Sequence, residues 1–129
     1  MSREILFKAK HIHTSEENEY LDGKWVEGYL CDKNYIYSLE LEGQLLIDEN
    51  TVCQYIGLTD KNSRKIFEGD IVLIDGEDEY FTVEWDNDTA RFVMNSKTLM
   101  VDFDNYWNYQ VEVIGNIFDN PKLLEGGTE

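Results

Sequence analysis

Residues 52–72 read Val52-Cys53-Gln54-Tyr55-Ile56-Gly57-Leu58-Thr59-Asp60-Lys61-Asn62-Ser63-Arg64-Lys65-Ile66-Phe67-Glu68-Gly69-Asp70-Ile71-Val72. An apolar, β-branched run leads into a polar turn, and a Gly-Asp pair launches a second apolar run. Gly69 can take a positive φ, and the Asp70 carboxylate can hydrogen-bond the backbone as the chain swings into its next strand. This local chemistry predicts strand, turn and strand in a strongly bent sheet.

Downstream, apolar or alternating runs fall at residues 71–74, 80–85, 91–94, 99–103 and 111–118. Asp75-Gly76 and Asp86-Asn87-Asp88 supply turn residues between them. Five short strands joined by tight turns look like a small SH3-like barrel. Upstream, residues 3–10 alternate, with Ile5, Phe7 and Ala9 on one side. Strict period two predicts a strand. Residues 14–23 form a polar connection. Strands follow at 24–30 and 35–41 around the Asp32-Lys33-Asn34 turn, then at 45–47 and 51–55. The expected fold is mainly β with little helix, any helical turn falling within 99–109 or at the C-terminus. An N-terminal β lobe (1–57) joins an SH3-like barrel with a C-terminal tail (58–129), packed as one compact unit. Leu123 and Leu124 are expected to dock back onto the core, with 126–129 frayed.

The chain has 129 residues, 42% of them hydrophobic and 17 aromatic, enough to build a core without staples. Its charge is lopsided, with 11 Lys+Arg against 27 Asp+Glu and a formal net charge of −16. Nine carboxylates and no Lys or Arg stand between Phe67 and Ala90. Lys61, Arg64 and Lys65 are a weak cationic footprint, which argues against direct nucleic-acid binding. An anionic membrane surface would repel the chain, and no apolar run is long enough to span a bilayer. The N-terminus is charged and carries no apolar leader. The expectation is therefore a cytoplasmic protein with Cys31 and Cys53 reduced and partly buried.

Four blocks, in order, resemble the YopX family, small proteins carried by bacteriophages and prophages. They are Arg3-Glu4-Ile5-Leu6-Phe7-Lys8-Ala9, Trp25-Val26-Glu27-Gly28-Tyr29, the 52–72 stretch, and Val111-Glu112-Val113-Ile114-Gly115-Asn116-Ile117-Phe118-Asp119-Asn120-Pro121-Lys122-Leu123-Leu124. One departure is Ser63, where such a turn commonly has glycine. The resemblance implies a bacterial host cell and a role without an assigned biochemistry. It supplies no catalytic residue and no cofactor.

Candidate sites are few. His11 and His13 share one face of an extended segment, and Glu16, Glu17 or Glu19 would have to complete a metal site; exposed strand-end histidines are the expected outcome. Asp75-Gly76-Glu77-Asp78-Glu79 and Asp86-Asn87-Asp88 offer clustered oxygens, but the latter fails as a calcium loop because Arg91 and Lys97 occupy its sixth and twelfth positions. Solvated hairpin tips are expected there. No nucleophile elbow and no phosphate-cradling glycine loop is present, so no enzyme activity is expected. The candidate partner surface combines Tyr106, Trp107 and Tyr109 with Asp75, Glu77, Asp78 and Glu79. It suits a protein partner or a second copy of the chain. The alternative is an acidic DNA mimic that inhibits a host nucleic-acid-acting enzyme.

Overall fold

The computed structural model describes residues 5–12, 22–106 and 108–125. They form a mainly β protein, as the alternation predicts: β1 (Phe7–Lys10), β2 (Trp25–Asp32), β3 (Tyr35–Ser38), β4 (Gly43–Leu46), β5 (Cys53–Thr59), β6 (Lys65–Phe67), β7 (Asp70–Ile74), β8 (Phe81–Asp86), β9 (Arg91–Asn95), β10 (Met100–Asp102) and β11 (Val111–Asn116). Among the described residues helix is limited to single 3-10 turns at Glu49–Thr51, Phe103–Asn105 and Asn108–Gln110, and to α1 (Lys122–Glu125). Among the described residues no helix is long and apolar enough to cross a membrane. The chain divides into two compact units, Met1–Tyr55 and Ile56–Glu129.

In the first unit the strands pair antiparallel in the order β4-β3-β2-β1-β5. Period two decides what is buried: β3 hides Ile36 and Ser38 and exposes Tyr35 and Tyr37. Ala9, Val26, Ile36, Leu45 and Ile47 form the core. The sheet then closes on itself. His11 and Ile47 form an antiparallel bridge, Ile12 N–H donates to Leu46 O at 2.9 Å, and Asp48 N–H donates to Lys10 O at 2.9 Å. Such curvature requires close strand approach at Gly28, which pairs with Ser38. A Cβ at Gly28 would overlap the backbone carbonyl of Tyr37.

β5 carries the chain into the second unit, where it neighbours β6 across the 60–64 turn. The Lys65–Phe67 strand was not anticipated; three residues are too few for a period to register. The remaining five strands have the order β10-β9-β8-β7-β11, all pairs antiparallel. Ile56 and Ile66 from the β5–β6 hairpin pack with Val72, Ile74, Phe81, Val83, Met94 and Val111. The five expected strands are present, but edge-to-edge closure of this sheet into an SH3-like barrel is not among the pairings of the described residues. The Gly-Asp corner behaves as its chemistry requires. Gly69 has φ +89°, and Asp70 Oδ2 accepts the Phe67 N–H at 2.8 Å while the side chain is 2% exposed. Gly69 also donates its N–H to Val83 O and accepts from Ile117 N, so the corner ties the sheet to the end of β11.

Candidate functional site

At one end of the second unit's sheet, three segments that are distant in sequence come together. The end of β7 meets the start of β11 through the Ile74–Val111 pair. One residue further on, the Asp75 N–H donates to Gln110 O at 2.8 Å. The acidic loop is thereby fixed beside the 3-10 turn that carries Tyr109. Gly76, at φ +88°, lets the chain reverse immediately, and Glu77 N–H closes back onto Ile74 O at 3.0 Å. The basic turn arrives at the same place: Lys61 N–H donates to Val111 O at 2.9 Å, and its Nζ lies 3.7 Å from the Asp75 carboxylate. That pair is exposed on both sides and contributes little to stability.

Asp60 holds this arrangement in register. Its side chain is 1% exposed. Oδ1 accepts the N–H groups of Asn62 and Arg64, each at 2.9 Å, and Oδ2 accepts the Val113 N–H at 2.8 Å. One carboxylate thus both shapes the turn and ties it to β11, and Ser63 completes the turn at φ +63°, a left-handed conformation that glycine adopts more readily. The sequence reading missed this role for Asp60. The available signal was an Asp opening a polar turn, which marks an Asx-type cap, but not a partner 53 positions away.

The predicted partner-surface residues divide. Tyr109 is 61% exposed and Asp78 is exposed, while Asp75 is exposed apart from its ion pair with Lys61. Glu77 is half-buried. Tyr106 is half-buried and, with Phe103, packs against the core. Glu79 is drawn onto the β9–β10 turn, where its Oε2 accepts hydroxyl hydrogen bonds from Ser96 at 3.1 Å and Thr98 at 2.5 Å. Trp107 lies outside the described residues. The second acidic turn lies elsewhere. Asp86 accepts from Asp88 N–H and the Thr89 hydroxyl at the far tip of β8. Seven residues of extended chain separate Glu79 from Asp86, about 23 Å.

The histidine expectation is corrected. His11 is 2% exposed because it continues the inward phase of Phe7 and Ala9. Its Nδ1 contacts Leu46 O at 2.7 Å, and its buried Nε2 has no hydrogen-bond partner among the described residues. His13, Glu16, Glu17 and Glu19 lie outside the described residues, as does most of the 14–23 connection. Among the described residues no three His, Cys, Asp or Glu side chains gather closely enough to hold a metal ion. The cysteines are unequal rather than alike: Cys31 is exposed and Cys53 buried.

A cleft of about 390 Å³ opens on the other face of β8, lined by Tyr80, Thr82 and Glu84, by Asn95 and the adjoining turn, and by Leu123 and Leu124 of α1. The two leucines, expected on the core, are half-buried and are not part of the core cluster; they line this cleft instead.

The family model described as YopX protein matches residues 6–125. No curated protein matches the chain. Among solved structures, the crystal structure of protein EF1440 from Enterococcus faecalis is similar, with a TM-score of 0.57 and 23% identity. That match covers 95% of this chain and 99% of the other, and at such identity it shows a shared fold.

Proposed function

We propose, from the premise that this chain belongs to the YopX family, that it is a bacteriophage- or prophage-encoded accessory protein acting in the bacterial cytoplasm as a non-enzymatic protein-binding module. The observation that supports this reading is the backbone bond from Asp75 to Gln110, which sets an exposed carboxylate loop beside the exposed Tyr109 ring. An exposed aromatic next to negative charge suits a partner that presents a basic residue beside an apolar pocket. A second copy of the chain is the other partner this surface accommodates.

The DNA-mimic alternative needs its carboxylates in one row at phosphate-like spacing. Asp75–Glu79 and Asp86–Asp88 stand at opposite ends of β8, and Asp70 is buried, so this geometry gives that alternative little support. The experiment is capture from host lysate with the intact chain and with the double variant Tyr109→Ala, Asp75→Lys, alongside sedimentation of the chain alone. One protein recovered reproducibly by the intact chain and lost with the variant is the expected result; self-association lost in the variant points to the second copy. No capture and no self-association, or capture indifferent to both substitutions, overturns the reading.

A further inference from the structure

The cleft on β8 is a concave surface with a definite chemistry. Its floor is Thr82 paired with Asn95, and its wall is apolar, built from Tyr80, Leu123 and Leu124. Charge stands at both ends. Glu84 lies four residues along the chain from Tyr80, a span of about 13 Å for extended backbone. Asp78 and Glu79 lie at the Tyr80 end, where Ser96 and Thr98, the neighbours of Lys97, both bond Glu79. Of the charged residues that line the cleft, Asp78, Glu79 and Lys97 stand at one end, an excess of one carboxylate, and Glu84 at the other. Asn95 Nδ2 donates to Glu84 Oε1 at 2.9 Å, which fixes that carboxylate at the rim and leaves its second oxygen unused by any described donor.

We propose that this cleft binds a linear aliphatic amine with two or more positive charges, of the diamine or polyamine class. An ammonium group at each end meets one excess carboxylate, and the methylene chain between them lies along the leucines and the tyrosine ring. A monoamine leaves one end unpaired. A compact divalent metal ion cannot use the apolar wall, and among the described residues no three His, Cys, Asp or Glu side chains gather closely enough to hold one. The site lies beyond the partner-binding reading, and Glu84 is not part of that surface.

The test is calorimetry of the full chain with spermidine and 1,4-diaminobutane, at about 0.15 M salt so that attraction from distant exposed charges is screened. Saturable one-to-one binding is expected, with n-butylamine and Mg²⁺ much weaker. Glu84→Gln should weaken spermidine at least about tenfold, the scale of one lost charge-assisted hydrogen bond. Asp75→Asn, which removes the same charge outside the cleft, should leave it unchanged. Should Glu84→Gln lower the melting temperature, Asp78→Asn carries the same comparison. No saturable heat, or equal weakening by the cleft and Asp75 variants, shows counterion attraction only and overturns the proposal. A short Lys-Lys peptide bound as tightly as spermidine also overturns it, by moving the same ammonium chemistry to a polypeptide source.

Discussion

Replacing Asp60 tests whether one buried carboxylate holds the second unit's functional end together. Asp60→Ala removes the acceptor of three backbone N–H groups. Asn62 and Arg64 are exposed, so water can replace the carboxylate there, at roughly 0.5–1 kcal/mol each. The Val113 N–H lies within the sheet, half-buried, and stranding it costs about 1–3 kcal/mol. The sum is about 2–5 kcal/mol, a large share of the 5–15 kcal/mol typical of a whole domain. Asp60→Asn preserves shape, and its amide oxygen can keep the turn bonds, but its NH₂ faces the Val113 N–H donor. Its cost should be about 1–3 kcal/mol. Urea unfolding followed by far-UV circular dichroism measures both, with Asp78→Asn as the exposed control expected within about 0.5 kcal/mol of the parent. Hydrogen exchange should show the Val113 amide losing protection in both variants, and that of Asn62 only in the alanine variant. A loss below about 1 kcal/mol for Asp60→Ala, with Val113 still protected, would refute the assignment.

Two further substitutions probe the backbone. Gly28→Ala drives a Cβ into the Tyr37 carbonyl oxygen, backbone that has no rotamer to yield, so it should cost several kcal/mol and melt the first unit; a melting temperature within a few degrees of the parent would show that the strands separate freely there. Ser63→Gly relieves a left-handed residue at φ +63° and should stabilise the chain by about 0.5–1 kcal/mol in the same urea assay, whereas a loss would mean the hydroxyl has a bonding role.

What the sequence disclosed was governed by range. Gly69-Asp70 was legible because its requirements are local: a positive φ, and an acceptor three residues from its donor at Phe67. The strand and turn alternation from Ile71 onward was legible for the same reason. His11 was readable in principle, since the odd positions of β1 point inward, yet a histidine at a strand end invites an exposed reading, and only closure of the strand ring buries it. That closure joins β1 to the end of β4, and no local period records a bridge between His11 and Ile47. Curvature was expected in the second half from turn spacing. The ring closure actually described is in the first unit, where Gly28 permits the approach.

The acidic segment shows why a charge count is a poor guide to a surface. Its nine carboxylates are contiguous in composition but not in space, because an antiparallel strand carries its two turns to opposite ends. Asp70 is buried as a backbone acceptor, Asp86 shapes its own turn, and Glu79 fastens the β9–β10 turn. Each of these is explained by the fold before any partner is invoked. Asp75, Asp78 and Glu84 are different: none accepts from a backbone N–H in the described residues, yet each stands beside an exposed ring or an apolar wall. A carboxylate that the fold does not need, next to apolar surface that solvent does not favour, is the combination that binding chemistry uses. The partner-binding reading therefore rests on Asp75 and Asp78, and the cleft proposal on Asp78 and Glu84, rather than on the net charge of −16, and a variant set that removes them one at a time separates recognition from mere solubility.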